Sequence, residues 1–419
     1  MARWSYVWLA SARARSLEFV RAVFREFYRR SASLINPPPR PEMREYGYWP
    51  FDGEMVRHIA LGSADEVRAA VVKASPLHAY RSAAYYRYPA APMNEKEWLG
   101  ADLIFDIDAD HLDPPCAGRH EYQLCSVHGL VEEAGNGCPS CGQPLRTLEW
   151  VCEGCISGAR AEAARLVAIL MDELGVEEGE IEVGFSGNRG YHVVVYSEAF
   201  RGLDQIARRA IVGYLLCEGL VPSLVGLPGG AGKRGRPSVK GLPPPTFQLP
   251  GLKGRIERRI YALLQNPKLL PQKLLQKYGG IIEQLSSSWI EDPDWAAAPA
   301  GLWEQLVEVA IRMESIKIDP VVTADIHRLL RLSGTLNGKT GLLACRIPVG
   351  ELEDTDPLEV SAALPKDRRV RVRVLYCPAF RLGGMEFDEV PEPRSMELPL
   401  YAATYLVLRG AAELEGVSS

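Results

Sequence analysis

Residues 100–116, GADLIFDIDADHLDPPC, begin like a buried strand and then stop being one. Leu103, Ile104, Phe105 and Ile107 are good strand formers, yet Asp106, Asp108, Asp110 and Asp113 crowd in behind them. Aspartate suits strands poorly, and a buried carboxylate without a partner is costly. Alternate residues of a strand share a face, so Asp106 and Asp108 stand side by side. Two such carboxylates repel each other, which becomes useful when divalent cations sit between them. Oxygen ligands of this kind suit Mg2+ or Mn2+. The plainer reading is an acidic strand end facing solvent. That reading is preferred for Asp110 and Asp113, as a turn or cap; metal binding is preferred for Asp106 and Asp108, embedded around Phe105 and Ile107.

Cys116 closes the quoted stretch and opens a cysteine-rich island. Six of the nine cysteines fall between Cys116 and Cys155, while Cys217, Cys345 and Cys377 stand apart. The start of the chain lacks an apolar core followed by a cleavage site, so a cytoplasmic protein is expected, and there such clustering points to metal rather than disulfides. Cys125-x-x-His128 and Cys138-x-x-Cys141 form two short-spaced ligand pairs of the kind tetrahedral Zn2+ requires. Cys116 and His120 precede them, and Cys152-x-x-Cys155 follows. If the inner ribbon folds as a hairpin, its ends meet. Two nested structural sites are expected: outer Cys116, His120, Cys152 and Cys155; inner Cys125, His128, Cys138 and Cys141. Spacing alone leaves exchange of ligands between the sets open.

The 419 residues exceed one ordinary core, so subdomains are expected. No membrane partner is expected, since no run approaches eighteen apolar residues. A net charge of −5 argues against coating nucleic acid by bulk charge but permits a local basic groove. Apolar spacing predicts helices over Arg15–Tyr28 and Gly158–Leu174. Residues 180–197 read as strand, Gly-rich turn and strand, with Ser186, Gly187, Arg189 and His192 at a tip suited to an anion. Residues 201–315 read as a helical subdomain. Its stretch GLPGGAGKRGRPSVKGLPPP (226–245) fails the spacing of a phosphate loop, with Leu227 in place of the first glycine and Arg234 after Lys233, and reads as a solvated basic loop. In SIKIDPVVTADIHRLLRLSGTLNGKTGL (315–342), Asp319 is expected to end a short strand, Arg328 and Arg331 to lie on a helix, and Lys339 in a Gly-bounded turn. RRVRVRVLYC (368–377) reads as a strand.

LIFDIDADH (103–111), SGNRGYHVVV (186–195) and KIDPVVTADIHRLLRLSGTLNGKTG (317–341) resemble, in order, the three motifs of the catalytic small subunit of archaeal and eukaryotic-type DNA primase. REYGYWPF (44–51) and residues 80–108 resemble the same family upstream. The resemblance implies an α/β (α+β) primase fold with a mixed twisted sheet, a zinc-binding protrusion and a helical subdomain. On that basis residues 1–200 and 316–419 form the catalytic domain, with a zinc insertion at 116–155, and 201–315 the helical part. It implies Asp106, Asp108 and Asp319 as metal-binding catalytic carboxylates. Ser186, Gly187, Arg189, His192, Arg331 and Lys339 would hold the triphosphate, with Arg44 and Glu45 near the nucleotide. It matches the outer zinc set to the family's usual site and the inner set to an addition found in some members. It further implies nucleoside triphosphates as substrates, a single-stranded DNA template and a primase large subunit as partners, and a nucleoid-associated place in replication. Asn337 stands where members usually carry histidine; it is expected to donate to a phosphate without bringing charge. Ser333 replaces a frequent proline, and Asn188 stands where an arginine sometimes precedes Arg189. The rivals are a gap-filling repair polymerase of the same superfamily and a non-catalytic zinc-ribbon protein.

Overall fold

In the helix α1 (Ala14–Arg30), Val20, Val23, Phe24, Phe27 and Tyr28 recur at helical spacing and are all buried. Phe24 packs edge-on to Phe51, 5.4 Å between ring centroids, which seats α1 against the chain that follows it. This is a computed structural model that describes residues 14–112, 116, 120–132, 135, 137–221, 224, 249–288 and 298–415. The basic stretch 226–245, Asp113, Trp289 and Trp295 therefore lie outside the described residues.

The chain divides into two units: Met1–Ala164, Glu178–Asp204 and Val321–Ser419 make the first, Arg165–Glu177 and Gln205–Pro320 the second. Eight strands of the first unit matter most: β1 (Tyr46–Trp49), β2 (Val56–Ile59), β3 (His78–Ser82), β4 (Leu103–Asp108), β5 (Ile181–Phe185), β6 (Gly190–Val195), β7 (Leu329–Arg331) and β8 (Cys345–Ile347). They make two four-stranded sheets, ordered β7-β3-β1-β2 and β8-β5-β6-β4. Helices and sheets share this unit, as an α/β fold requires, and every strand pairing among the described residues is antiparallel. In the second sheet Leu103, Phe105 and Ile107 lie opposite Val195, Val193 and Tyr191, all buried on one face. The other face carries Asp106 and Asp108, both half-buried. The alternation read from the sequence thus sets apolar side chains inward and the acids toward the rim.

A third sheet, β9 (Arg369–Val374), β10 (Arg394–Pro399) and β11 (Ala412–Leu414), packs with the helix Leu400–Arg409. Leu414 donates its backbone N–H to Ser16 Oγ of α1 at 3.1 Å.

The second unit is helical: Gln205–Leu215, Gly251–Gln265, Gln272–Ser288 and Ala300–Glu314. Ile256, Ile260, Leu263, Trp303 and Leu306 form its core with no exposed surface. Glu173 accepts from Tyr214 Oη at 2.6 Å and pairs with Arg255 at 3.1 Å beside that core. No helix among the described residues is long and apolar enough to cross a membrane.

Two expectations in the third motif give way. Residues 316–319 take no regular structure, and a helical turn, Pro320–Ala324, begins directly after Asp319. Arg331 ends strand β7 rather than lying on a helix, and Arg328 precedes that strand. The reason is long-range: Leu330 pairs with Arg81 of β3 and buries its side chain among Ala83, Ile104, Val194 and Val322. A stretch of three residues has no period of its own, so tertiary packing decides.

Candidate active site

β4 and β6 run antiparallel with Asp106 opposite His192 and Asp108 opposite Gly190. Gly190 is required there, because a Cβ would lie 2.4 Å from the Ile107 carbonyl oxygen. His192 Nε2 sits 3.4 Å from Asp106 Oδ1. Burial holds the imidazole pKa below its ordinary value against the pull of Asp106, and Arg331, Arg81 and Arg328 push the same way as burial.

Arg189 Nε lies 2.7 Å from Asp108 Oδ1, and its Nη2 pairs with Asp110. Burial raises the Asp108 pKa to about 6; Arg189 opposes that rise, while Asp110 and Asp106 add to it. Asp110 belongs to a short 3-10 turn, as expected, but it also holds the arginine. Two part-exposed carboxylates on one strand face, offering only oxygen, are a donor set that fits a hard divalent cation.

Beside these groups lies a cleft bounded by Arg81, Glu182, Gly184, His192, Arg331 and Ser333. Tyr196 Oη accepts from Arg81 at 3.0 Å and donates to Glu182 at 3.2 Å, and Arg346 pairs with Glu182 at 2.8 Å. Glu182 is thus neutralised, and the cleft keeps a cationic character from Arg331 and Arg81.

The hairpin tip and the third motif meet here. Ser186 Oγ accepts from the backbone N–H of Asn188 and Gly190, both at 3.3 Å, tightening the turn. Lys339 projects from the neighbouring turn; burial lowers its pKa to about 8, with Arg189 and Arg409 adding repulsion. Asn337 departs from expectation. It is 3% exposed and donates to the Ser186 carbonyl at 2.9 Å, so its amide is engaged within the protein rather than offered to a phosphate.

Arg44 and Glu45 also prove different from a ligand-contacting pair. Both have 0% exposure. Arg44 pairs with Asp102 at 2.7 Å, donates to the Ala83 carbonyl at 2.6 Å and lies over the Tyr85 ring at 3.6 Å. Glu45 accepts from Arg57 at 3.0 Å and from the His58 N–H at 3.2 Å, with Lys96 3.5 Å away. In this conformation they form a buried floor at the start of β1 and the end of β3 and present nothing to solvent. Asp319 belongs to the second unit, so its partnership with Asp106 and Asp108 rests on the sequence.

His78 escaped the sequence reading. Its Nδ1 lies 2.8 Å from Arg331 Nη1 and accepts from the Gly338 N–H at 3.2 Å. Burial, then Arg331 and Lys339, hold its pKa well below the usual value, so the ring is a neutral acceptor that aims Arg331. No local motif marks it; it reaches the third motif only because β3 pairs with β7.

The cysteine island brings together two groups of possible metal ligands. Cys116, His120, Cys152 and Cys155 form one; Cys125, His128, Cys138 and Cys141 the other. Strand Glu121–Cys125 pairs with Arg146–Glu149, and Trp150 N–H donates to the His120 carbonyl at 2.7 Å, so the ribbon's two ends close on the outer group. Cys116 Sγ lies 3.5 Å from both Cys152 and Cys155 Sγ, and Cys125 Sγ 3.6 Å from Cys141 Sγ. A tetrahedron of Zn–S bonds has S···S edges of about 3.8 Å, so both groups fit zinc. Arg373 of β9 donates to the Ser126 and Val127 carbonyls at 3.2 and 3.1 Å, holding the inner knuckle against the third sheet.

Comparison with known proteins decides the family. The DNA primase small subunit of Cenarchaeum symbiosum is 32% identical over 398 residues, covering 93% of this chain and 96% of its own. The chain belongs to the DNA primase small subunit family. That of Nitrosopumilus maritimus is 31% identical over 402 residues, with 95% and 98% covered, and that of Methanospirillum hungatei 33% over 417, with 95% and 97%. The family model for the DNA primase small subunit matches residues 147–349, from the end of the ribbon through the hairpin and third motif to β8.

Proposed function

We propose that this protein is a primase catalytic subunit that joins nucleoside triphosphates into short primers on single-stranded DNA for replication. The observation that carries this reading is the cross-strand placement of Asp106 beside His192 and of Asp108 beside Arg189, at the edge of a cationic cleft. Acids for metal and donors for phosphate stand on adjacent strands, as nucleotidyl transfer demands.

Asp106 and Asp108 would hold divalent Mg2+ or Mn2+, with Asp319 completing the set. When bound, such ions lower the pKa of an attacking 3′-hydroxyl and offset charge on the triphosphate. The chain's own residues do the rest. Ser186, Gly187 and Arg189 present donors at the hairpin tip; His192, Arg331 and Lys339 line the path of the phosphates. A cation held by Asp108 would release Arg189, whose fork would then face the triphosphate in a bidentate geometry that lysine lacks. His78 keeps Arg331 pointed at the cleft. Pyrophosphate is the leaving group. The two Cys/His groups would hold Zn2+ as closed structural sites.

The relatives are named small subunits, which supports a large subunit as partner, and replication supports a cytoplasmic, nucleoid-associated place. A primer-synthesis assay on single-stranded DNA, with and without that partner, tests the reading. Products of a few nucleotides that vanish in Asp108→Ala are expected. Wild-type-level synthesis by Asp108→Ala would sink it. Metal analysis of the purified protein should find two zinc ions per chain, falling to one in Cys138→Ser.

A further inference from the structure

Two backbone turns far apart in sequence are joined beside the cleft: the hairpin tip, residues 186–190, and the loop of residues 337–342. Asn337 stands at the junction. Its Nδ2 donates to the Ser186 carbonyl at 2.9 Å, and its Oδ1 accepts from the Lys339 N–H at 2.9 Å. Its own backbone carbonyl accepts from Thr340 at 3.1 Å and Gly341 at 2.7 Å, and its N–H donates to Leu342 at 2.8 Å. Thr340, with 0% exposure, adds a second tie by donating its hydroxyl to the Gly187 carbonyl. Gly187 has φ +75°, and a Cβ there would lie 2.9 Å from the Leu342 carbonyl oxygen and 3.1 Å from Asn337 Cβ. The turns therefore touch, with no room for a side chain between them.

We propose that Asn337 is a positioning residue for nucleotide binding. It fixes the hairpin tip that carries Ser186 and Arg189 against the turn that carries Lys339, and it does not itself reach the substrate. The inference rests on the primase reading above and goes beyond it by assigning the register of the two phosphate-facing turns to one side chain. Two facts favour positioning over direct contact: the 3% exposure of Asn337, and the engagement of both ends of its amide within the protein. Thr340 performs the same task from the other side, so the two ties should fail alike.

The substitutions are chosen to cut one tie between the turns at a time; Thr340→Val also removes the acceptor for the Leu342 N–H at 3.1 Å. Asn337→Asp keeps the acceptor for Lys339 N–H and removes the donor to Ser186. Thr340→Val removes the hydroxyl with little change of shape, and Thr340→Ser restores it. ATP and dATP, each with Mg2+, serve as probes, with dissociation constants from calorimetry and KM and kcat from primer synthesis. A buried carbonyl left without its donor should weaken nucleotide binding about tenfold. Asn337→Asp and Thr340→Val should therefore raise KM and the dissociation constant by about that factor while kcat at saturation changes less than about threefold. Thr340→Ser should stay near wild type.

A merely structural role predicts a lower melting temperature with an unchanged dissociation constant, and that result would overturn the proposal. Weak binding by Asn337→Asp beside normal binding by Thr340→Val would also overturn it, since it marks Asn337 as a direct ligand. Should Asn337→Asp not fold, the Thr340→Val and Thr340→Ser pair decides alone: equal impairment of both overturns the proposal, and rescue by serine supports it. Wild-type protein that bound neither nucleotide would overturn this role and the proposed function together, whereas unchanged variants of a binding protein would overturn this role alone.

Discussion

Arg44 with Asp102 and Arg189 with Asp108 are both guanidinium–carboxylate pairs closing at 2.7 Å. Their surroundings separate them. The first pair is 0% and 1% exposed, with Tyr85 stacked on the guanidinium and Arg81 a further 3.3 Å from the same carboxylate. The second is 25% and 31% exposed and lies at the rim, open to solvent. A buried pair cannot exchange partners without leaving a charge stranded, whereas a rim pair can trade its arginine for a cation or a phosphate. Equal distances thus stand in opposite settings: one pair is locked into the floor, the other is able to exchange partners.

Four measurements would break or sharpen that contrast. The largest effect belongs to Asp108→Ala, which should cut primer synthesis by on the order of a thousandfold or more while the unfolding midpoint barely moves. A large loss of stability would place Asp108 with the buried pair instead. Next, Asp102→Ala should destabilise the fold by about 3–5 kcal/mol, because Arg44 is left charged and buried. Denaturant unfolding reads this directly, and a change below about 1 kcal/mol would mean that water reaches the floor. Third, Arg189→Ala should tighten nucleotide-free Mn2+ binding a few-fold, roughly the value of one exposed ion pair released from Asp108. Weaker Mn2+ binding in a spin-resonance titration would show that the arginine does not compete with metal.

The smallest effect is a pH dependence. Lys339 has its pKa lowered to about 8, so its charge is present below that pH and lost as pH rises through it. KM for the nucleotide should rise roughly threefold between pH 7 and 9. Lys339→Arg, which stays protonated, should abolish the inflection. An inflection that survives in the arginine variant would have to come from another group.

Much of this arrangement was legible in the sequence, for physical reasons. Residues 103–108 and 181–195 announce themselves because a period of two fixes which side chains share a face, and their α/β setting follows from helices and strands of sufficient length. Paired C-x-x-H and C-x-x-C spacings identify ligand groups because a tight knuckle has few other uses. What stayed hidden depends on distant contacts. Leu329–Arg331 is too short to carry a period and becomes a strand only beside His78–Ser82. The burial of Arg44 and Glu45 follows from Asp102, Arg57 and Lys96, none of which is a sequence neighbour. Asn337 could be seen as a departure from the family's pattern, but its inward aim depends on Ser186, far back along the chain.

The seat of α1 carries one more implication, for the order of events during synthesis. Ser16 accepts from the backbone of Leu414, and Tyr28 Oη accepts from the Leu336 N–H at 3.2 Å. The earliest helix of the described chain therefore gets part of its surroundings from segments translated hundreds of residues later. At about 5–20 residues per second, that delay is on the order of tens of seconds. Through that interval Ser16 and Tyr28 wait for these late partners even though Phe24 already has Phe51, and contacts of such long sequence separation close slowly even afterwards. A nascent chain of this protein is thus one that chaperones would be expected to meet by its first helix.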